Sequence, residues 1–130
     1  MELKDQVVIV TGAGKGIGKV IAQKFFEEGA KVALWDMELG LVEELSRSLD
    51  KTNERAMAVK VDVTSEDDVL NGASMVLKKF ERIDVLVNNS GISRHKPIEE
   101  MTLEIFEQVI EVNLTGVFLC CKAVVPIMKK

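Results

Sequence analysis

The sequence predicts an α/β fold with a doubly wound parallel sheet. Apolar runs of strand length alternate with segments of helical period, which is typical of repeated βα units. The first run is apolar at every position, as expected for a parallel strand that helices cover on both faces. A glycine-rich turn then joins this strand to the first helix. With 130 residues, 47% of them hydrophobic, the chain is long enough for one globular domain with a core.

The first strand and the turn after it organise the rest of the chain. The strand is Val7-Val8-Ile9-Val10, and the turn holds Gly12, Gly14, Gly16 and Gly18, with Lys15 and Ile17 between them. Glycine adopts positive φ easily and has no Cβ, so the backbone can turn sharply and approach a ligand closely. The helix that follows offers free N–H groups and a partial positive charge, which suit a phosphate group. This combination favours nucleotide binding over an ordinary turn.

The remaining elements follow from hydrophobic periodicity. The first helix is predicted over residues 16–28, with Ile17, Val20, Ile21 and Phe25 on its buried face. Strands are predicted at 31–36, 55–61 and 83–88, helices at 38–49 and after Thr64 or Ser65, a loop at 92–101, and a long helix after Thr102 that Pro126 ends or kinks. The third helix should bury Val69, Ala73, Val76, Leu77 and Phe80. Right-handed crossovers then give the strand order 3-2-1-4 in a three-layer αβα arrangement.

The last strand and the last helix predict association. Strand four lies at an edge in this order, yet its sequence is mostly apolar, as in an interior strand. The main stripe of the long helix holds Leu103, Phe106, Val109, Ile110, Leu114, Val117 and Cys121. A second apolar set holds Ile105, Val112, Leu119, Val124 and Ile127, more than one packed face needs. We therefore expect a homo-oligomer through strand four and the long helix rather than a soluble monomer.

Charge and composition argue against several classes of partner. The net charge is −4 and the cations are scattered, so neither a nucleic-acid stripe nor a polybasic membrane patch is predicted. No apolar run approaches membrane-spanning length, and the stretch from Met1 to Asp5 lacks the apolar segment of a signal peptide. Cys120 and Cys121 are adjacent in a helical pattern and point about 100° apart, which disfavours a disulfide or a metal pair. We expect reduced core cysteines, no metal site and a cytoplasmic location.

Asp36 is the strongest candidate for choosing a cofactor. It ends strand two, 18 residues after Gly18, where an acidic residue accepts hydrogen bonds from the adenosine ribose of NAD. Its carboxylate would repel the 2′-phosphate of NADP. The alternative is a cap for the next helix, and the two roles are compatible. Lys15 argues for NADP unless it is simply solvated, and we expect the repulsion by Asp36 to prevail.

Two further polar sites leave alternatives open. Asp62 and Val63 end strand three beside the expected adenine pocket, where the carboxylate could accept the adenine amino group or cap the next helix. Asn113 lies on the stripe of Phe106 and Ile110, where a buried amide must be fully hydrogen-bonded. That hydrogen bonding could be structural or functional.

Together these motifs resemble the short-chain dehydrogenase/reductase family. The residues that carry the resemblance are Thr11-Gly12-Ala13-Gly14-Lys15-Gly16-Ile17-Gly18, Asp62-Val63, Asn88-Asn89-Ser90-Gly91 and Val112-Asn113-Leu114. Their order and spacing fit over the whole chain. Within the family the chain looks most similar to the 3-oxoacyl-acyl-carrier-protein reductases, with sugar and other alcohol dehydrogenases close behind.

The resemblance implies a Rossmann-like domain that binds NAD, or less readily NADP, and a role for each matching residue. The implied cofactor-binding residues are Gly12, Gly14, Lys15, Gly16, Ile17, Gly18, Asp36, Asp62, Val63, Asn89, Ser90 and Gly91. Ser90 stands where the family usually has alanine, and the two side chains are both small. Asn113 would be the helix member of a catalytic tetrad and would position a water in the proton relay.

The resemblance also implies a second half that this sequence does not contain. The family continues with a catalytic serine and a Tyr-x-x-x-Lys motif, whereas these 130 residues include no tyrosine. We therefore expect residues 1–130 to be an NAD(P)-binding domain without the catalytic half. Hydride transfer with a small carbonyl or alcohol substrate would then need that half, and the chain alone should show no turnover. A stand-alone dinucleotide-binding or dimerising module is the alternative.

Overall fold

A computed structural model describes residues 3–130 and contains a four-stranded parallel sheet. The strands are β1 (Val7–Thr11), β2 (Lys31–Asp36), β3 (Ala56–Lys60) and β4 (Val85–Val87). They lie in the order β3-β2-β1-β4, which confirms the predicted topology. Met1 and Glu2, which begin the stretch compared with a signal peptide, lie outside the described residues.

Helices cover both faces of the sheet and form two separate cores. On one face α1 (Gly16–Glu27) and α2 (Leu39–Leu49) pack on alternate strand residues such as Val8. On the other face α3 (Glu66–Phe80) and the last helix pack on the intervening residues, among them Ile9. The central strands β1 and β2 are thus buried on both sides, as expected for a parallel sheet with crossover helices, whereas β4 at the edge is half-buried.

The long C-terminal helix is one continuous element from Leu103 to Met128 with a local irregularity. It consists of α4 (Leu103–Ile110), a π-helical turn (Glu111–Thr115) and α5 (Gly116–Met128). Thr102 caps it, since its hydroxyl oxygen accepts the N–H of Ile105. Of the two predicted effects of Pro126, an end or a kink, the first is excluded, because α5 continues past it to Met128. The loop before it contains a 3₁₀ turn at Ile98–Glu100.

The predicted buried stripe of this helix was wrong. Leu103, Phe106 and Leu114 are 70%, 53% and 63% exposed, and Ile110, Phe118 and Val125 are exposed as well. The buried residues are Gly116, Leu119, Cys120 and Val124, of which Leu119 and Val124 belong to the second apolar set and none to the main stripe. Gly116 allows this face to pack closely against the sheet, because a Cβ at this position would lie only 2.8 Å from Cγ2 of Val63. The helix approaches the sheet on its glycine side.

Other differences are smaller. Ile17 and Val20 are exposed rather than buried in α1, where Gly18 and Ala22 face the sheet, and Leu77 is exposed in α3. β4 is shorter than the predicted strand at 83–88. The Asp84 carboxylate accepts the N–H of Val7 at 2.8 Å, so a side chain replaces a ladder bond at that end.

The exposed stripe also changes the expectation about membrane-spanning segments. By length and composition the helix Leu103–Met128 could cross a membrane, although only 22% of its most apolar window is buried inside the structure. Polar residues interrupt the apolar positions of this helix, so its sequence contains no unbroken apolar run of membrane-spanning length. A helix with two apolar faces also suits a protein that packs against both its own sheet and a second surface.

The turn between α2 and β3 is organised by Asp50. Its carboxylate accepts N–H groups of Thr52, Glu54 and Arg55 at 3.0, 2.8 and 2.6 Å, and the Thr52 hydroxyl. The hydroxyl of Thr52 and the N–H of Arg55 lower the pKa of Asp50 from 3.8 to about 2. Arg55 in turn donates to the carbonyl oxygens of Phe26 and Ala30, so the turn ties β3 to the end of α1.

Asp50 should make the protein sensitive to acid. Because its pKa is lower in the folded than in the unfolded chain, its charge stabilises the fold above about pH 4, and this contribution is lost as the pH falls towards 2. We expect Asp50→Asn to lower the free energy of unfolding at pH 7 by about 1 kcal/mol. The urea midpoint of the Asp50→Asn variant should also depend less on pH between 5 and 2 than the midpoint of the wild type. Parallel curves for the two proteins would contradict this assignment.

Candidate functional site

A cleft of about 510 Å³ opens at the carboxyl ends of the strands, where the sheet changes direction between β1 and β4. This size lies within the usual range for small-molecule sites. The residues that line it are Gly12, Lys15, Asp36, Met37, Glu38, Val61, Asp62, Val63, Asn89, Ser90, Gly91, Ile92 and Val112. Eight of them were predicted from the sequence. Gly14, Gly16, Ile17, Gly18 and Asn113 do not line the cleft and lie next to it in the chain or in the fold.

The glycine turn has the conformation that its sequence requires. Gly12 and Gly16 adopt φ values of +63° and +60°, which other residues reach only with strain. At Gly18 a Cβ would overlap the carbonyl oxygen of Gly12 and Nδ2 of Asn89. The turn therefore packs tightly against the loop after β4, and only glycine allows this contact.

The N-terminus of α1 is free to accept an anion. Lys15 occupies its N-cap position in an extended conformation, and within residues 3–130 its side chain makes no cap hydrogen bond. The N-terminus of α3 differs, because the Ser65 hydroxyl caps it by accepting the N–H of Asp68. A helix N-terminus without a side-chain cap, after a turn with positive φ, suits a phosphate group.

Thr11 joins β1 to the loop after β4, a role that was not predicted. Its buried hydroxyl oxygen accepts the N–H groups of Asn89 and Ser90 at 3.0 and 2.9 Å and donates to the carbonyl of Val87. Asn89 returns the contact through Nδ2, which donates to the carbonyls of Thr11 and Gly12 at 3.1 and 3.2 Å. A polar residue at the end of an otherwise apolar strand was the signal that could have revealed it.

Asp36 holds the glycine turn and the start of α2 together. Its Oδ2 accepts the N–H of Gly14 at 2.9 Å, and its Oδ1 accepts the N–H of Glu38 at 3.0 Å. Glu38, not Asp36, occupies the N-cap position of α2, so instead of capping the helix Asp36 accepts the N–H of the N-cap residue. Lys15 is largely exposed, and its Nζ lies 3.7 Å from Oε2 of Glu38.

Asp62 and Val63 also line the cleft. Oδ1 of Asp62 accepts the N–H and the hydroxyl of Thr64, which forms a tight turn after β3. Ser65, one of the two caps predicted, caps α3, so the alternative in which Asp62 caps this helix is not the one observed. Val63 is buried and contacts the glycine side of α5 at Gly116.

Asn113 is exposed rather than buried, contrary to the prediction from its stripe. Its amide makes two contacts to the backbone of Ile92, in which Oδ1 accepts the N–H at 2.8 Å and Nδ2 donates to the carbonyl at 2.9 Å. Asn113 lies in the π-helical turn, and such turns are frequent at functional sites. It therefore fixes the loop that follows Gly91, where a Cβ would lie 3.3 Å from Oδ1 of Asn113.

The cysteines and the single histidine lie outside the cleft. Burial raises the pKa of the Cys120 thiol to about 11, which makes it a poor nucleophile, and Cys121 accepts a hydrogen bond from Asn88. His95 contacts the Ser93 hydroxyl in the exposed loop after β4. Within residues 3–130 there is no group of three or more His, Cys, Asp or Glu side chains that could hold a metal ion.

The role of Thr11 can be measured with two variants. Thr11→Val keeps the shape but leaves the N–H groups of Asn89 and Ser90 without their acceptor, which should cost about 1–3 kcal/mol of unfolding free energy. Thr11→Ser keeps the hydroxyl and loses one methyl group, at a cost of about 1 kcal/mol. Urea denaturation compares them, and a valine variant as stable as the serine variant would show that the hydroxyl is dispensable.

Comparison with known proteins finds one family over nearly the whole chain. The family model described as short chain dehydrogenase matches residues 6–130. An uncharacterised oxidoreductase of Bacillus subtilis, YxjF, is 42% identical over 128 residues, which are 98% of this chain and 50% of that protein. A 3-oxoacyl-[acyl-carrier-protein] reductase of Synechocystis is 41% identical over 129 residues, which are 98% of this chain and 52% of that protein.

Solved structures agree with this result. A short-chain dehydrogenase/reductase of Brucella melitensis, described as a glucose/ribitol dehydrogenase, has a TM-score of 0.94 at 34% identity. A 3-ketoacyl-(acyl-carrier-protein) reductase from the same organism, complexed with NADH, has a TM-score of 0.93 at 34% identity. The alignments cover 98% of this chain and 54% and 52% of those chains, so it spans about half the length of its relatives. This chain belongs to the short-chain dehydrogenase family.

Proposed function

We propose that this chain is the cofactor-binding part of an NAD-dependent oxidoreductase that transfers hydride between nicotinamide and a carbonyl or alcohol. The observation that carries the proposal is the cleft at the β1–β4 switch point. The uncapped N-terminus of α1 and the carboxylate of Asp36 meet beside it, as a dinucleotide requires. Free thiols at Cys120 and Cys121 suit the cytoplasm.

In this proposal the glycine turn holds the pyrophosphate. The N–H groups at Gly16, Ile17 and Gly18 begin α1 and would face the phosphate oxygens, and a Cβ at Gly16 would meet nothing within 4 Å. Gly12 permits the close packing of the turn, whereas Gly14 contributes by donating its N–H to Asp36. Asp36 would accept the ribose hydroxyls, since a carboxylate oxygen has more than one lone-pair site.

The opposite ends of the cofactor would lie on the two flanks of the cleft. Asp62 and Val63 would hold the adenine, and the loop of Asn89, Ser90 and Gly91 would lie beside the nicotinamide ribose. These residues line one cleft, which supports their assignment to one ligand. Asn113 would position this loop rather than contact the cofactor, because its amide makes two hydrogen bonds to the backbone of Ile92.

The chemistry divides between cofactor and protein. Bound nicotinamide supplies or accepts the hydride, and the residues described here bind it, orient it and fix the loop beside it. The proton donor of the family belongs to a Tyr-x-x-x-Lys motif, and this sequence contains no tyrosine. The likeness to 3-oxoacyl-[acyl-carrier-protein] reductases supports a 3-oxoacyl thioester as one substrate class for the whole protein.

Calorimetric titration with NADH and NADPH tests the proposal. We expect NADH to bind roughly tenfold more tightly, because Asp36 would repel the 2′-phosphate. Asp36→Asn should reduce the difference between the affinities for NADH and NADPH. The asparagine keeps one oxygen that can accept the N–H of Gly14 or Glu38, whereas alanine would remove both hydrogen bonds. Asp67→Asn, on the exposed first turn of α3, is the matched control. If neither nucleotide binds, the proposal is refuted, and NADPH binding as tight as or tighter than that of NADH would refute the role of Asp36.

A dimerising module without catalysis is the second candidate, and the exposed stripe of α4 and α5 favours it. Leu103, Phe106 and Leu114 present apolar side chains to solvent on one continuous helix. β4 is a short, half-buried edge strand whose outer backbone groups have no neighbouring strand within the described sheet. Binding of NAD and self-association are compatible, because the cleft and the stripe are different surfaces.

Sedimentation equilibrium at micromolar concentration tests association. We expect the wild type to form dimers or larger assemblies, since burial of an apolar stripe is favourable. Phe106→Glu combined with Leu114→Glu should shift the mass towards the monomer. Gln108→Glu adds negative charge to the same helix at another exposed position and should leave the mass unchanged. A monomeric wild type with cooperative unfolding would contradict the expectation.

A further inference from the structure

The charges around the cleft involve more than Asp36. Among the cleft-lining residues within 3–130, Lys15 is the one cation, whereas Asp36, Glu38 and Asp62 are acidic. A 2′-phosphate on the adenosine ribose would therefore meet an acidic environment with one compensating charge. What this lysine contacts then decides how strongly the cleft rejects such a phosphate.

The structure gives Lys15 a partner. Its Nζ lies 3.7 Å from Oε2 of Glu38, and the two side chains are 78% and 59% exposed. Asp36 fixes the backbone at both ends of this ion pair, since it accepts the N–H of Glu38 and that of Gly14, the neighbour of Lys15. The ion pair thus lies across the rim of the cleft on anchored backbone.

We propose that Glu38 is a second determinant of cofactor choice, which acts by occupying Lys15. This inference rests on the proposed binding of a dinucleotide with its adenosine ribose at Asp36. While Lys15 pairs with Glu38, it is not free to pair with a 2′-phosphate. Glu38 is a positioning residue for Lys15 and needs no contact with the cofactor.

The expected effect is modest, because both side chains are largely exposed. Exposed ion pairs are weak in water, so release of Lys15 should strengthen binding of a 2′-phosphate about three- to fivefold. Ligands without that phosphate should change less than about twofold. The difference should shrink as salt is added, since salt screens exposed charges.

ADP-ribose and 2′-phospho-ADP-ribose are suitable probes, because they differ only in the 2′-phosphate and need no nicotinamide pocket. Calorimetric titrations should include the wild type, Glu38→Gln, Lys15→Gln and the double variant. Glu38→Gln should tighten binding of the phosphorylated probe alone, and the gain should vanish when Lys15 is also replaced. Glu43→Gln removes the same charge from an exposed position of α2 that does not line the cleft, and it should change neither affinity.

The outcomes separate this inference from the function on which it rests. If both probes bind and Glu38→Gln leaves their ratio unchanged, Glu38 is not a determinant. If Glu38→Gln tightens binding of 2′-phospho-ADP-ribose equally in the presence of Lys15 and in the Lys15→Gln background, Glu38 repels the phosphate directly. That result would refute an action through Lys15. If neither probe binds any variant, the proposed function fails and this inference fails with it. Thermal unfolding of each variant shows whether loss of an acidic residue at the start of α2 has altered the fold instead.

Discussion

The hydrogen bonds of the Thr11 hydroxyl are the contacts on which the cleft depends. β1 and β4 are neighbours in the sheet, but they belong to distant parts of the sequence, and their pairing ends at Val10 and Val87. Just after the last paired residues, the hydroxyl oxygen of Thr11 accepts the consecutive N–H groups of Asn89 and Ser90. The side-chain amide of Asn89 in turn donates to the carbonyl of Thr11. The glycine turn and the loop after β4 are thereby held as one unit. Every proposed ligand contact on the β1 side relies on this junction.

Asp36 completes this unit from the β2 side. Its two carboxylate oxygens each accept a backbone N–H, one from the glycine turn and one from the start of α2. A carboxylate held in this way is already oriented, so binding a ribose would require little further ordering. The same contacts mean that a substitution at Asp36 alters the turn as well as the charge. Effects of such a variant on affinity therefore combine two causes.

The sequence was sufficient for the topology and for most of the cleft, because strand alternation, crossover handedness and the glycine spacing are local patterns with few solutions. It was insufficient where a choice depended on tertiary contact. The last helix has two apolar stripes, and periodicity alone does not say which one meets the sheet. The side of the helix that carries Gly116 packs closely against the sheet, and Leu103 and Phe106 of the other stripe are exposed to solvent. The π-helical turn at Asn113 and the pairing of Lys15 with Glu38 likewise have no local sequence signature.

The packing of Gly116 has a consequence for the dimensions of the cleft. Val63 lies between the cleft on one side and the backbone of α5 on the other, and it is buried in that position. Any side chain at residue 116 would press on Val63, because a Cβ there already lies 2.8 Å from its Cγ2. The space available for a flat ring beside Val63 is therefore set by a residue that does not line the cleft. Changes in ligand size in such a fold can arise from the spacing between helix and sheet, without any change among the residues that touch the ligand.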